Sequence, residues 1–366
     1  MVDTAFQPDW FVKPGDTLLT LMEHRELTSE ELATKLGRSE ATIRGLLAGT
    51  IGIDEELAES LAEHVGGTVA FWRKRQSTYL CALSRAADAV SPKSGDEWLR
   101  QFPHRDIASY GWIEKPQRRD DLLKTYLAYF GVSNPSEWYD RYTKSLGVVF
   151  RTSPAFQSKA GALSAWLRRG ELEASSITCA RWNPQYLRLR LDDIKVLTKA
   201  KAPAYFLPRI RKICAESGIA LVFVRAPAGC RASGATRFLS KNKAMIILSF
   251  RHRSDDHFWF TLFHELGHLL LHDCSATFID GEVDAVTQQE REANEFAAST
   301  LIPPERRDQL LDLKPKRESV IRFALSVGIS PGIVVGQLQH NGVIKQNQLN
   351  YLKRHFDWSQ ISQAIA

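Results

Sequence analysis

One stretch of the chain constrains its fold more than any other: an apolar segment that carries three histidines. The segment FWFTLFHELGHLLLH runs from Phe258 to His272, and its apolar residues would cover nearly the whole surface of a helix. A helix that is apolar all round lies inside a core, where a histidine is costly unless it has a partner. The segment therefore predicts a buried helix from about Asp256 to His272 whose histidines have partners.

Within this segment, the pattern H-E-x-x-H places two histidines four residues apart. His264 and His268 would project from one face of the helix and could share a metal ion. Glu265 would lie one step round the helix, close enough to serve as a general base on a metal-bound water. We therefore expect a Zn²⁺ site with His264 and His268 as ligands and Glu265 as the catalytic residue. The alternative is a buried helix whose histidines are satisfied by carboxylates and backbone groups.

A third ligand is expected on a second helix. The acidic segment QEREANEFAASTLIPP follows about two dozen residues later. It offers Glu292, with Glu290 and Glu295 as alternatives. A three-histidine site would need a histidine six residues after His268, where Cys274 stands, so a glutamate ligand is favoured.

Two further residues are candidates for an effect on this metal. His272 lies four residues beyond His268. It is interpreted as a residue that supports a ligand or hydrogen-bonds the helix end, because a catalytic site keeps one coordination position open. Cys230 lies in the Pro/Gly-rich segment RAPAGCRASGAT, and its thiolate could fill that position as an inhibitory ligand. The alternative is that Cys230 is a small packing residue.

Short apolar segments upstream predict three strands: GIALVFV, ASGATRFL and KAMIILSF. Together with the H-E-L-G-H helix and the later E-A-N-x-F-A helix, they resemble the ImmA/IrrE family of zinc peptidases over roughly residues 216–305. The resemblance implies a zincin-like domain with a small sheet, a zinc cofactor and proteolytic activity. It also implies that Glu292, just before Ala293 and Asn294, is the third ligand.

Near the N-terminus, the segment TSEELATKLGRSEATIRGLLAGTIGI predicts two short helices joined by a tight turn. Thr28 and Glu31 have capping-box spacing, and Gly37 can end the first helix. Ser39 can cap the second helix. This is the helix-turn-helix pattern, with Ser39–Ala48 as the recognition helix. The candidate DNA-binding residues are Arg38, Ser39, Glu40, Thr42 and Arg44.

This N-terminal segment resembles the Cro/repressor-type helix-turn-helix family. Its continuation is similar to the HigA-type antitoxin branch through Phe71, Trp72, Gln76 and Tyr79. The resemblance implies that a homodimer binds a double-stranded DNA operator. Arg44 is the one strong base-reading residue on the outward face of the recognition helix, and Arg38 lies just before that helix. The affinity for a specific DNA sequence is therefore expected to be modest or to depend on dimerisation. The alternative is a small helical bundle that binds another protein.

The length of 366 residues exceeds that of one typical core. The Ser-, Pro- and Gly-containing segment SPKSGDEW predicts a linker, and the residues beyond it show mostly helical patterns. We therefore expect an all-α DNA-binding domain at 1–90, a helical middle or sensing region at 91–215 and the zinc peptidase domain at 216–366. The fold class predicted is α+β and predominantly helical.

Composition restricts the compartment and the partners. No apolar run approaches the ~20 residues that span a bilayer, and the first residues lack the pattern of a secretory signal. The five cysteines are scattered and odd in number, as is typical of reduced thiols. A formal net charge of +6 permits nucleic-acid binding without requiring it. We expect a cytoplasmic protein without a membrane partner.

The two resemblances together predict a DNA-binding transcriptional regulator with a peptidase domain. It would cleave a repressor-like partner, or its own chain, in a stress, phage or mobile-element response. A second interpretation is an antitoxin-type repressor of a toxin–antitoxin module whose metal site is structural or sensory; a small toxin-like reading frame beside the gene would favour it. A third is a metallohydrolase whose N-terminal module binds protein rather than DNA.

Overall fold

The chain folds into two compact units. The computed structural model describes residues 12–113, 119–144, 154–272, 278–279 and 288–365. Unit 1 comprises Met1–Thr178 and Pro227–Cys230, and unit 2 comprises Cys179–Ala226 and Arg231–Ala366. This division differs from the three predicted domains, since it assigns the predicted middle region partly to each unit.

The regular secondary structure of unit 1 is helical in the part that the structure describes. Its helices are α1 (Pro14–His24), α2 (Ser29–Lys35), α3 (Glu40–Ala48), α4 (Glu55–His64), α5 (Val69–Ala89), α6 (Pro92–Leu99), α7 (His104–Ser109), α8 (Arg119–Phe130), α9 (Pro135–Tyr139) and α10 (Pro154–Ser175), with a π-helical turn at Asp140–Lys144. The first five helices enclose a core that includes Leu18, Leu32, Ile43, Leu61 and Trp72.

Helices α2 and α3 begin where the capping pattern places them. The Thr28 hydroxyl accepts a hydrogen bond of 3.1 Å from the Glu31 backbone N–H, and the Glu31 carboxylate accepts one of 2.8 Å from the Thr28 N–H. The Ser39 hydroxyl accepts a hydrogen bond of 3.1 Å from the Thr42 N–H at the start of α3. Gly37, in the turn between them, has a φ of 61°, a conformation that glycine adopts without strain.

The prediction of a linker at SPKSGDEW was wrong, because this segment forms α6. The Ser91 hydroxyl caps the helix by accepting a hydrogen bond from the Ser94 N–H, and Pro92 occupies the first turn, where its missing N–H costs nothing. Trp98 and Leu99 are buried. Serine, proline and glycine are common in linkers, but serine followed by proline is also a helix start.

Unit 2 combines a small sheet with helices. Its strands are β1 (Ile219–Phe223), β2 (Gly234–Ser240), β3 (Lys243–Leu248) and β4 (Phe278–Ile279), in the order β1-β3-β2-β4. Strand β3 is parallel to β1, whereas β2 is antiparallel to both β3 and β4. The helices are α11 (Pro184–Leu197), α12 (Pro203–Glu216), α13 (Asp255–Leu271), α14 (Gln288–Leu301), α15 (Arg307–Leu311), α16 (Arg317–Val327), α17 (Pro331–His340) and α18 (Trp358–Ile365). The predicted α+β, predominantly helical class is confirmed.

Helices α11 and α12 belong to the same core as the sheet. Leu187, Ile194, Phe206 and Ile210 are fully buried in one cluster with residues of β1, β3 and α13. The boundary predicted at residue 216 separates α12 from β1, although the two pack together. The helices of 184–216 therefore pack with the strands that follow them.

The N-terminal end of α13 is held by the C-terminal part of the chain. The Asp255 N–H donates to the Arg354 carbonyl at 2.9 Å, and the Asp255 carboxylate accepts hydrogen bonds from the Ser330 hydroxyl at 2.8 Å and from the Arg354 N–H at 3.0 Å. Lys353 Nζ lies 2.7 Å from Asp256 Oδ2, and both side chains are almost fully buried. These contacts fix the position of the helix that carries the histidines.

In the described residues, no single helix is long and apolar enough to cross a membrane. Helices α16 and α17 meet that test of length and composition only as a pair bent by 108°. Both contribute buried side chains, such as Val320 and Val334, to the core of unit 2.

Candidate metal centre

Helix α13 brings two histidines together in the core of unit 2. The side chains of His264 and His268 are 2% and 0% exposed. Their Nε2 atoms lie 3.0 Å apart, as the spacing of four residues on one helix face predicts. Two ring nitrogens that converge in a buried site can take up a cation between them.

Glu290, near the start of α14, supplies a carboxylate to the same point. Its Oε2 lies 3.3 Å from His264 Nε2, and its Oε1 lies 3.4 Å from His268 Nε2. The three ligand atoms lie within 4.8 Å of one another. Two imidazoles and one carboxylate form a donor set that zinc accepts in catalytic sites, where a fourth position stays open. The residues present therefore fit a zinc ion.

The hydrogen bonds on the far side of each ring favour this use. His264 Nδ1 lies 3.0 Å from the side-chain oxygen of Asn294. Because a carbonyl oxygen only accepts, Nδ1 carries the proton and the lone pair of Nε2 points towards Glu290. His268 Nδ1 lies 3.0 Å from Nδ1 of His272, which was predicted to support a ligand or to hydrogen-bond the end of the helix.

Glu292, which the resemblance favoured as third ligand, lies elsewhere. Its Oε2 is 3.1 Å from His272 Nε2, and its Oε1 accepts a hydrogen bond of 2.7 Å from the Gln288 amide. Residues two apart on a helix point about 200° apart. Glu290 and Glu292 therefore lie on different faces of α14, and of the two only Glu290 contacts the rings of His264 and His268. Glu290 and Asn294 are four apart and share a face, and this spacing is the signal in the sequence that indicates Glu290.

Protonation in this cluster suits metal binding. Burial lowers the pKa of His268 below its usual value. Burial alone would raise the pKa of Glu290, but its contacts with the rings of His264 and His268 outweigh burial and lower that pKa to about 2. Neutral imidazoles and an ionised carboxylate are the forms that bind a metal ion.

Glu265 is fully buried next to this cluster, and strand β2 holds its carboxylate. The Thr236 hydroxyl donates a hydrogen bond of 2.6 Å to Glu265 Oε2. A Cβ atom at Gly234 would lie 2.5 Å from Glu265 Oε1, so only glycine leaves room there. Residues 234 and 236 share one face of the strand. No local sequence pattern indicates either residue, because the helix that they face is remote in sequence.

Cys230 is buried, and its backbone N–H donates a hydrogen bond of 3.0 Å to the Pro227 carbonyl. Among the described residues, the side chains that converge closely enough to share a metal ion are those of His264, His268 and Glu290. Cys230 is not part of this cluster. The inhibitory role of Cys230 stays a prediction.

The candidate DNA-binding residues of unit 1 already have partners within the chain. Arg38 forms an ion pair of 2.6 Å with Glu56, and Arg44 forms one of 3.3 Å with Glu40. The Ser39 hydroxyl also contacts the Thr42 hydroxyl at 3.0 Å. All four ion-paired side chains remain at least one-third exposed, so solvent can compete for them.

Helix α10 packs against α3, the predicted recognition helix. By helical periodicity Ala48 points away from the core residues Ile43 and Leu46, yet it is only 5% exposed. A cavity of about 350 Å³ has Arg44 and Ala48 of α3 and Leu172 of α10 in its wall. Helix α10 therefore lies beside the predicted recognition helix, with this cavity between them.

A comparison with models of known protein families identifies the same part of the chain. Residues 217–335 match the model described as the IrrE N-terminal-like domain, Peptidase_M78. This span contains β1, β2, β3, α13 and α14, and thus the whole histidine–glutamate cluster. A comparison with curated proteins found no significant match. Residues 217–335 thus contain an IrrE/ImmA-like Peptidase_M78 domain, which points to a zinc-dependent, metallopeptidase-type regulator.

Proposed function

We propose that unit 2 is a zinc-dependent endopeptidase in which His264, His268 and Glu290 hold the metal. The observation that carries this proposal is the convergence of their three ligand atoms. The buried Glu265 follows His264 directly in the same helix. A bound zinc ion would act as a Lewis acid on the scissile carbonyl and would make water more acidic. The family match of residues 217–335 supports the same reaction class.

Glu265 is proposed as the general base and then the general acid. Its carboxylate would accept a proton from the attacking water and deliver it to the leaving amine. The hydrogen bond from Thr236 holds that carboxylate against β2, and Gly234 leaves room for it, so little reorganisation is needed when the proton moves. Asn294 orients His264 by accepting its Nδ1 proton.

The proposed substrate is a repressor-like protein partner or the chain itself. The test is co-expression of the full-length protein with repressor proteins encoded beside it, followed by mass spectrometry of the fragments. Wild-type protein should cleave one of them. Glu265→Gln should retain zinc and lose cleavage, because an amide does not accept the proton. Glu295→Gln, a change on the exposed side of α14, is the matched control and should cleave normally.

Equal cleavage by wild type and Glu265→Gln would exclude this mechanism. If the Glu265→Gln variant keeps the full regulatory response of wild type in cells, the antitoxin-type alternative with a structural or sensory metal site gains support. A toxin-like reading frame beside the gene would support that alternative independently.

We also propose that helices α2 and α3 bind a double-stranded DNA operator as part of a homodimer. The capped helix, glycine turn and second capped helix support this role. Because α10 packs against α3, we propose that movement of α10 away from α3 increases the access of DNA to this helix. Gel shifts with the gene's own upstream region test the proposal. A complete lack of salt-sensitive binding would instead favour a protein partner for unit 1.

A further inference from the structure

His272 lies at the point where helix α13 ends. Its backbone is extended, with φ −119° and ψ 167°, although its N–H still donates to the His268 carbonyl. Leaving the helix allows the imidazole to turn back towards His268, and their Nδ1 atoms lie 3.0 Å apart. The His272 side chain is only 4% exposed, so water does not readily replace this contact.

The other side of the His272 ring is held by Glu292. Nε2 of His272 lies 3.1 Å from Glu292 Oε2, and the Gln288 amide donates to the second carboxylate oxygen at 2.7 Å. A carboxylate accepts hydrogen bonds only. His272 Nε2 is therefore the donor in this contact, and in a neutral ring Nδ1 is then the acceptor.

The direction of one hydrogen bond sets the direction of the next. Because His272 Nδ1 accepts, His268 Nδ1 donates to it. The proton of the His268 ring thus lies on Nδ1, and the lone pair of Nε2 faces His264 and Glu290. The opposite arrangement would put a proton on His268 Nε2, at the point where a ligand needs a lone pair.

We infer that Glu292 and His272 are positioning residues for the metal ligand His268, and that they act as one hydrogen-bonded chain. This inference rests on the proposed zinc site. Glu292 fixes the proton of His272, and His272 fixes the orientation and the proton of His268. An anionic acceptor at the end of the chain also makes His268 a stronger donor to a metal ion.

The two histidine ligands are therefore supported in different ways. His264 donates directly to the neutral amide of Asn294, whereas His268 is connected to a carboxylate through a second imidazole. This assigns a role to Glu292 although Glu290, and not Glu292, lies against the two ligand rings.

The test is a zinc dissociation constant for the full-length protein, measured by competition with a chromophoric chelator. His272→Ala and Glu292→Ala should each weaken zinc binding by about 10–100-fold, the usual effect of losing an outer hydrogen bond of a ligand. The double variant should be no weaker than His272→Ala, because removal of either residue breaks the same chain. Glu292→Gln, which keeps an accepting oxygen, should retain most of the affinity.

Two further variants are the references. Glu290→Ala should lose zinc far more completely than Glu292→Ala, whereas Glu295→Ala should bind like wild type. Circular dichroism of the metal-free proteins shows that each variant is folded. Wild-type affinity in both His272→Ala and Glu292→Ala would overturn the inference while leaving the zinc site intact. Equal loss in Glu292→Ala and Glu290→Ala would also overturn it, because Glu292 would then be a ligand. A wild-type protein that binds no zinc would remove the proposed function and the inference together.

Discussion

The Thr236 hydroxyl donates a hydrogen bond of 2.6 Å to the Glu265 carboxylate. Thr236 lies on β2 and Glu265 lies on α13, so the bond joins the sheet to the helix that carries the histidines. Both side chains are buried. A hydrogen bond to a charged group contributes about 1.5–3 kcal/mol, more than a neutral one.

Replacement of Thr236 should therefore lower activity without removing the metal. Thr236→Val keeps the shape of the side chain and removes the donor, so we expect the cleavage rate to fall about tenfold or more, with unchanged zinc content. Thr236→Ser keeps the donor and should restore most of the rate. Equal rates for the valine and serine variants, measured by fragment formation, would show that Thr236 does not position Glu265.

The ion pair between Asp256 and Lys353 should stabilise unit 2. Lys353→Met would leave a buried carboxylate without its cation, which typically costs about 3–5 kcal/mol. Lys345 is exposed, and Lys345→Met is the matched control. The free energy of unfolding, measured by urea denaturation of the full chain, should fall for Lys353→Met only. Identical curves for the two variants would contradict the assignment.

A buried lysine should make unit 1 more stable at higher pH. Burial, with a smaller contribution from Arg168, lowers the pKa of Lys13 to about 8, and Lys13 Nζ donates to the Ala48 carbonyl at 3.2 Å. The unfolded chain has the ordinary lysine pKa and binds more protons above pH 8. The contribution of Lys13 is therefore fully present above the unfolded pKa and is lost as the pH falls through about 8.

Between pH 7.5 and 9.5 this effect should raise the free energy of unfolding by on the order of 2 kcal/mol. Lys13→Met should remove the rise, whereas Lys35→Met, a change at an exposed position of α2, should keep it. The measurement is urea denaturation at several pH values. The same pH profile in both variants would mean that Lys13 is not the group responsible.

The contact between α3 and α10 leads to opposite expectations for two variants in DNA binding. Leu172 of α10 lies in the wall of the cavity beside α3, and Leu172→Gln, which places a polar side chain there, should strengthen binding by releasing α3. Arg44→Ala should weaken binding by removing a base-reading side chain. The proposed sites are half-sites about 34 Å apart, or a multiple of that distance. Gel shifts in which Leu172→Gln binds no better than wild type would exclude the proposed role of α10.

The main elements of the site could be predicted because they depend on local spacing. His264 and His268 are four residues apart on one helix, and this spacing alone places them on the same face. Thr28 and Ser39 are residue types that cap the start of a helix, so their role also depends only on their near neighbours in sequence. The choice between Glu290 and Glu292 depends on which face of α14 meets α13, and this is a tertiary relationship. Thr236 acts across nearly thirty residues of sequence, so no local pattern indicates it.

The central claim is that His264, His268 and Glu290 bind one zinc ion. The most direct measurement is the zinc-to-protein ratio, by elemental mass spectrometry, of purified full-length wild type, Glu265→Gln and Glu290→Ala. We predict a ratio of about one for wild type and for Glu265→Gln, and a ratio near zero for Glu290→Ala, which loses a ligand. A wild-type ratio near zero after zinc loading, or a full complement of zinc in Glu290→Ala, would contradict the account.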